Sequence, residues 1–249
     1  MLRRFYSCVA AWLFCAFPIA AIVWGASLPA QSRARPLKIV MLSYSLEYKS
    51  DESLKLLKEY LEKNYNVRCT LLSQRAKDDL PGLEALDDCD VLLPFTRRSM
   101  ITGDQLERVK AYCLAGKPIV GVRTASHAFQ NWLDFDREVL GGNYKGHYAQ
   151  GPETTIRVDA KAKDHPILAN VKLSKSVGSL YRNTGLASDA QVLMTGSIPD
   201  HTEPIAWTRI YKGARIFYTS LGHPQDFQDE NFRRLLANAL FWVAGREPK

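Results

Sequence analysis

Pro118-Ile-Val-Gly-Val-Arg-Thr-Ala-Ser-His-Ala-Phe129 is the stretch that decides the fold. Pro118 to Val122 reads as a continuous apolar strand, and Arg123, Thr124, Ser126 and His127 follow it without a transition. An unbroken apolar strand is buried on both faces, so it needs covering layers on both sides. The abrupt polar turn predicts a strand that ends at an exposed rim and bends sharply into a helix.

Upstream, Thr102 to Ala115 predicts a helix with Thr102 as N-cap. Leu106, Val109 and Cys113 face inward, and Gly116 and Pro118 lie past its end. Asp90 to Phe95 and Leu37 to Leu42 are further apolar strands, and Asn66 to Leu72 is another. Between the first and second strands, Leu54, Leu57, Leu61 and Tyr65 recur at helical spacing within Ser50 to Tyr65. Strand, helix, strand, helix with short connections predicts an α/β fold with a doubly wound, mostly parallel sheet.

Downstream of Gly141 the pattern changes. Thr154 to Val158, Gln191 to Thr195, Ile205 to Ile210 and Arg215 to Ser220 are strands with no helices between them. Lys212-Gly213 supplies the turn of an added antiparallel hairpin region. Asp229 to Ala244 closes the chain as a helix, with Phe232, Leu235, Leu236, Ala239, Leu240 and Val243 on one face. One domain over 37–245 follows.

The N-terminus stands apart. Arg3 and Arg4 precede a stretch from Phe5 to Ser32 without Lys, Arg, Asp or Glu, ending in small residues around Gly25, Ala26, Ser27 and Ala30. This predicts an export signal over 1–30 and a periplasmic or secreted protein. Pro18 and the small residues favour cleavage. The other reading is an uncleaved anchor over 5–26, which would be the only link to a membrane. Removing the first 30 residues, which carry two Arg and no acid, brings the formal net charge from +7 to +5. No basic stripe with interleaved aromatics appears, so no nucleic-acid partner is expected. Cys69, Cys89 and Cys113 remain, an odd number at irregular spacing. Cys69 and Cys113 fit buried thiols, and one disulfide among the three is left open.

In an open α/β sheet, ligands bind outside the carboxyl ends of the strands, near the point where strand order reverses. Those ends here carry Ser43-Tyr44-Ser45 with Glu47, Thr96-Arg97-Arg98, Arg123 to His127, and Thr219 to His223. His127 at the start of an elbow helix suits a neutral imidazole that polarises a carbonyl or hydroxyl, the alternative being a capping histidine. His147 follows a Gly-rich turn that allows close backbone approach. His127 and His147 are therefore the candidate acid/base pair. Arg97, Arg98, Arg123 and Arg182 are candidates for an anion clamp, unless some of them pair with Glu47 or Asp134. Ser126, Tyr181 and His223 complete the candidate ligand-binding set. Tyr148, Trp207 and Phe227 could line a sugar site or belong to the core. His165 reads as loop-shaping and His201 as a solvated turn. No cofactor is predicted. Three converging imidazoles would suit a divalent metal such as zinc, although no His-x-x-x-His spacing occurs.

Five segments occur in order: Gly121 to Phe129, Gly141-Gly142-Asn143-Tyr144-Lys145-Gly146-His147, Asp164-His165-Pro166-Ile167, Leu180-Tyr181, and Pro204-Ile205-Ala206-Trp207 through Gly222-His223. With these the chain resembles the ThuA-like (trehalose utilisation) family, a branch of the class I glutamine amidotransferase-like superfamily. The resemblance covers about 37–245 and implies a flavodoxin-like core and a role in sugar metabolism. Its substrate would be a small sugar, a disaccharide or a keto-sugar. Class I amidotransferases place a nucleophilic Cys two residues after the Gly of the elbow. Counting from Gly121, that position is Arg123, and a guanidinium cannot be a nucleophile. Many relatives have a His there, and the family often carries acids just before the Tyr of the Leu-Tyr motif, where this chain has Gly178 and Ser179. These departures weaken a catalytic role borrowed from the family. They leave room for a non-catalytic sugar- or anion-binding module, or an interaction domain of an exported degradation system.

Overall fold

Leu37–Tyr44 (β1), Val91–Thr96 (β3) and Ile119–Val122 (β4) form the centre of the molecule, and nearly every residue in them is buried. The computed structural model describes residues 1–2, 35–149 and 151–248. The signal or anchor expected over 1–30 lies almost wholly outside the described residues. Arg35–Lys249 forms one compact unit.

With Val67–Ser73 (β2) and Ala214–Thr219 (β9), the three central strands make a parallel block in the order β2-β1-β3-β4-β9. Four antiparallel strands extend it: His201–Tyr211 (β8), Gln191–Ile198 (β7), Thr154–Val158 (β5) and Lys175–Ser176 (β6). The whole is one nine-stranded sheet, parallel in its core.

Two apolar clusters cover its two faces, as strands buried on both sides require. One joins Ile39, Met41, Leu93, Phe95 and Val122 to the helices Ser50–Asn64 (α1) and Glu230–Val243 (α4). The other joins Val40, Leu42, Leu92 and Ile119 to Gly103–Leu114 (α2) and the turns Leu83–Asp88 and Phe135–Leu140. Chain order on the parallel block reverses between β1 and β3, since the chain goes from β1 outward to β2 and then returns past β1 to β3. That reversal fixes where the fold presents a ligand crevice.

Three expectations need correction. The elbow after β4 is a 3-10 turn, Arg123–His127, that does not continue as an α-helix. The carbonyls that would accept intrahelical bonds are engaged elsewhere. Arg123 O accepts from Tyr218 Oη (2.7 Å), His127 O from Arg98 N (2.8 Å) and Ala128 O from Ser99 N (2.7 Å). β7 and β8 are longer than expected and meet in a hairpin at Pro199-Asp200. Pro204 lies within β8, next to a register shift in its pairing with β7, where a missing N–H is tolerated. His201 therefore begins a strand and stacks on Tyr148 with ring centroids 4.0 Å apart. A short helix, Pro224–Gln228 (α3), was not expected at all. The Lys212-Gly213 turn stands as expected, both residues having positive φ (48° and 83°).

Candidate functional site

Because β9 runs parallel to β4, the segment Ser220 to His223 emerges at the same sheet edge as the elbow. The elbow begins with Arg123 at φ 45°, a left-handed conformation that is strained for a side chain with a Cβ. Its side chain is only 1% exposed. Nη1 donates to Ser220 O (2.6 Å), and Nη2 to Tyr48 Oη (3.1 Å) and Ser179 Oγ (3.2 Å). The guanidinium also lies over the rings of Tyr48 (4.3 Å to centroid) and Tyr181 (4.6 Å). No carboxylate forms an ion pair with it among the described residues. The nearby phenols help keep it charged against burial.

Arg123 and Gly178 meet in space. A Cβ on Gly178 would stand 3.0 Å from Arg123 Nη1, and Gly222, at φ 132°, leaves only 3.2 Å between such a Cβ and Arg123 Cβ. An acid side chain at position 178 would collide with the guanidinium unless one of them shifted. Bare backbone at position 178 leaves that space to the Arg123 guanidinium.

Tyr181 is the hub of the surrounding rings. His127 lies 6.1 Å, Tyr144 4.7 Å and His147 6.4 Å from it, centroid to centroid. His127 also stacks on Tyr144 at 4.5 Å. A backbone bridge between His147 and Tyr181 ties the Gly-rich loop over the elbow. His223 meets Tyr48 edge-on at 6.4 Å, which joins it to the far side of Arg123.

Burial, with Arg97, Arg98 and Arg123 close by, pushes the His127 imidazole down to about 3. It is neutral at physiological pH. The cause is desolvation and neighbouring cations, since no helix N-terminus is present. Ser126 Oγ lies 3.1 Å from its Nδ1 and 3.3 Å from Arg123 O. If the hydroxyl donates to that carbonyl, Nδ1–H donates to Ser126 and Nε2 is left as an acceptor. His147 is exposed, and its Nδ1–H donates to Tyr148 O (2.8 Å), which leaves its Nε2 an acceptor too. His223 caps α3 by accepting from Gln225 N (3.3 Å), while Asp226 accepts in return from His223 N (2.9 Å).

The other candidates divide. Arg97 pairs with Glu47 at 3.0 Å. Arg98, at φ 50°, is exposed beside the elbow. Arg182 donates to Lys145 O and so braces the Gly-rich loop, apart from Arg97 and Arg98. Trp207 and Phe227 belong to the core, Trp207 Nε1 donating to Leu140 O (2.8 Å). Among the described residues no three His, Cys, Asp or Glu side chains gather as a metal site. Cys69, Cys89 and Cys113 are free and buried, and burial pushes the Cys69 and Cys113 thiols up to about 12.

Sequence reasoning missed Tyr48, Tyr144 and Asp136. Tyr144 stands inside the Gly-rich motif, and Tyr48 follows Glu47 just past β1, so both lay beside residues already singled out. Asp136 gave no signal. It is 6% exposed, accepts from Tyr144 N (2.9 Å), and burial pushes its carboxyl up to about 6. It is a positioning residue for the ring that covers His127.

A family model described as ThuA, trehalose utilisation, matches residues 39–243. The chain belongs to the ThuA family. Among solved structures, a ThuA-like protein from Bacteroides uniformis superposes with a TM-score of 0.64 at 20% identity, over 87% of this chain and 95% of its own. Another, from Parabacteroides merdae, gives 0.65 at 19% identity, over 85% and 91%. The fold also recurs within a β-galactosidase from Bacillus circulans (TM-score 0.56, 14% identity), where it spans 85% of this ThuA chain and 32% of the enzyme. At these identities the likenesses establish the fold. No curated protein matches the sequence.

Proposed function

We propose that this ThuA protein takes a sugar, a disaccharide or a keto-sugar, at the carboxyl rim of its parallel strands and acts on it there in carbohydrate utilisation. The observation that carries the reading is the convergence of His127, Tyr144, His147 and Arg123 on the ring of Tyr181. Tyr181 is itself buried, at 1% exposure, and so organises the cluster without touching substrate. The half-buried Tyr144 and His127 rings around it, with the exposed His147, would meet a sugar's alternating C–H and O–H surface. The Nε2 of His147 would accept a proton or a hydrogen bond from a substrate hydroxyl, whereas that of His127, weakened as a base by burial and the neighbouring Arg side chains, would accept hydrogen bonds only. Arg123, held between two phenol rings, would set the positive field under the site and need not touch substrate. Amidotransferase chemistry has no nucleophile here, because Arg123 occupies its position. Glutamine should yield no ammonia.

A second reading, a module that binds sugar without turnover, is favoured by how fully Arg123 is engaged and by a His127 too weakly basic for general-base work. A turnover screen of disaccharides and their 3-keto forms, run beside calorimetric binding, separates the two. Turnover lost in both His127→Asn and His147→Asn supports the first, and binding without turnover supports the second. Export rests on the charge-free run from Phe5 to Ser32, and mass spectrometry of the natural protein tests it: an intact 1–30 segment in a cytosolic fraction would overturn it.

A further inference from the structure

Beside the aromatic cluster, a cleft of about 400 Å³ opens at the carboxyl ends of β1 and β3, lined by Tyr44, Glu47, Lys77, Arg97, Arg98 and Gln130 among others. This is the point where strand order reverses, the position at which open α/β sheets present their ligand crevice. Larger clefts lie on α2 and beside α4, and neither includes a strand end from this rim.

The lining is cationic. Glu47 is its one acid and is paired with Arg97. Lys77 and Arg98 form no side-chain hydrogen bond or ion pair with described residues, so two positive charges stand uncompensated. Arg98 is held there at a cost, because its φ of 50° is one that Gly or Asn would adopt more readily. Its backbone is fixed by donation from Arg98 N to His127 O, so the strained residue is tied to the elbow itself. A strained backbone that holds a cation, beside a second cation without a counter-charge, marks this crevice as a built anion site.

We infer that this cleft binds the anionic group, carboxylate or phosphate, of a small ligand, so that the natural substrate is an acidic or phosphorylated sugar. The Arg98 guanidinium supplies the fork that matches such a group, and Lys77 adds a point charge. The sugar part rests on the function proposed above, whereas the anion site stands on the cleft alone.

Calorimetric titration with glucose, glucuronate, glucose 6-phosphate and inorganic phosphate, at fixed ionic strength, tests it. At least one acidic sugar should bind about tenfold or more tighter than glucose, and Arg98→Gln or Lys77→Gln should remove most of that preference. Whether glucuronate or glucose 6-phosphate binds better identifies the group. Arg98→Gly should lose the preference while melting at or above the wild type, since glycine relieves the left-handed residue. Equal binding of glucose and the acidic sugars overturns the inference and leaves the sugar reading intact. Inorganic phosphate binding as tightly as the sugars, and weakened in Arg98→Gln, upholds the anion site and sinks the sugar reading. Anion binding unchanged in both variants, or no binding by any of the four, overturns the inference.

Discussion

β1, β3 and β4 are buried along nearly their whole length, whereas β5, β7 and β8 alternate or mix buried and exposed positions. The parallel block has helices on both faces, so its strands read as unbroken apolar runs and end abruptly in polar residues. The antiparallel flank leaves more of its strands to solvent, and its value to the site lies in its connections. The Gly-rich loop before β5 and the segment between β6 and β7 bring His147, Gly178, Ser179 and Tyr181 over Arg123. The site is therefore a seam: the parallel block supplies the floor, and the flank supplies the cover.

The largest expected effect tests whether the flank folds with the block. Trp207, on β8, is 1% exposed and packs on Tyr218 of β9 with centroids 4.5 Å apart. Trp207→Ala should cost about 3–5 kcal/mol in urea denaturation with one transition. Two separated transitions would show that the flank is an independent appendage.

Next is a pH effect with two opposed parts. Asp136 is raised to about 6 from an ordinary 3.8, so its stabilising contribution is complete below about 4 and is lost as pH rises through 6. His127 is lowered to about 3 from 6.5, so its contribution is complete above about 6.5 and is lost as pH falls toward 3. Asp136→Asn should therefore gain on the wild type by about 3 kcal/mol between pH 4 and pH 7. His127→Phe should flatten the acid side instead. Parallel denaturation curves for Asp136→Asn and wild type at the two pH values would mean that Asp136 is not buried in solution.

Arg123→Met comes third. It leaves Ser220 O and the Tyr48 hydroxyl without their donor while relieving a buried charge, and should destabilise by about 2 kcal/mol. An unchanged midpoint with weakened ligand binding would make Arg123 a ligand contact after all. The smallest effect belongs to the flank's hairpin: Lys212→Asn, at φ 48°, should stabilise by about 0.5–1 kcal/mol in thermal melts.

How much of this was legible follows the same divide. The parallel strands, α1, α2, α4 and the Lys212-Gly213 turn could be read because apolar runs, helical spacing and a turn dipeptide encode them locally. The β7–β8 hairpin could not, since Pro199 and Pro204 argue against strand until the register shift opposite Pro204 is seen. The elbow turns helically, as its sequence predicts, but stops at one 3-10 turn because Tyr218, Arg98 and Ser99, all remote in sequence, claim its carbonyls. At the site, Arg123, His127, His147 and Tyr181 each stood at a motif. Asp136 acts through one backbone bond to Tyr144, a relation that no spacing in the sequence encodes.

The measurement that tests the seam most directly is calorimetric titration of one disaccharide and its 3-keto form into four proteins: wild type, His127→Ala, Tyr144→Ala and Tyr60→Ala. The first variant alters the floor and the second the cover, while Tyr60 sits on α1 away from the rim. Both rim variants should weaken binding about tenfold or more, and Tyr60→Ala should bind as wild type does. Binding unchanged in His127→Ala and Tyr144→Ala, or lost only in Tyr60→Ala, would contradict it.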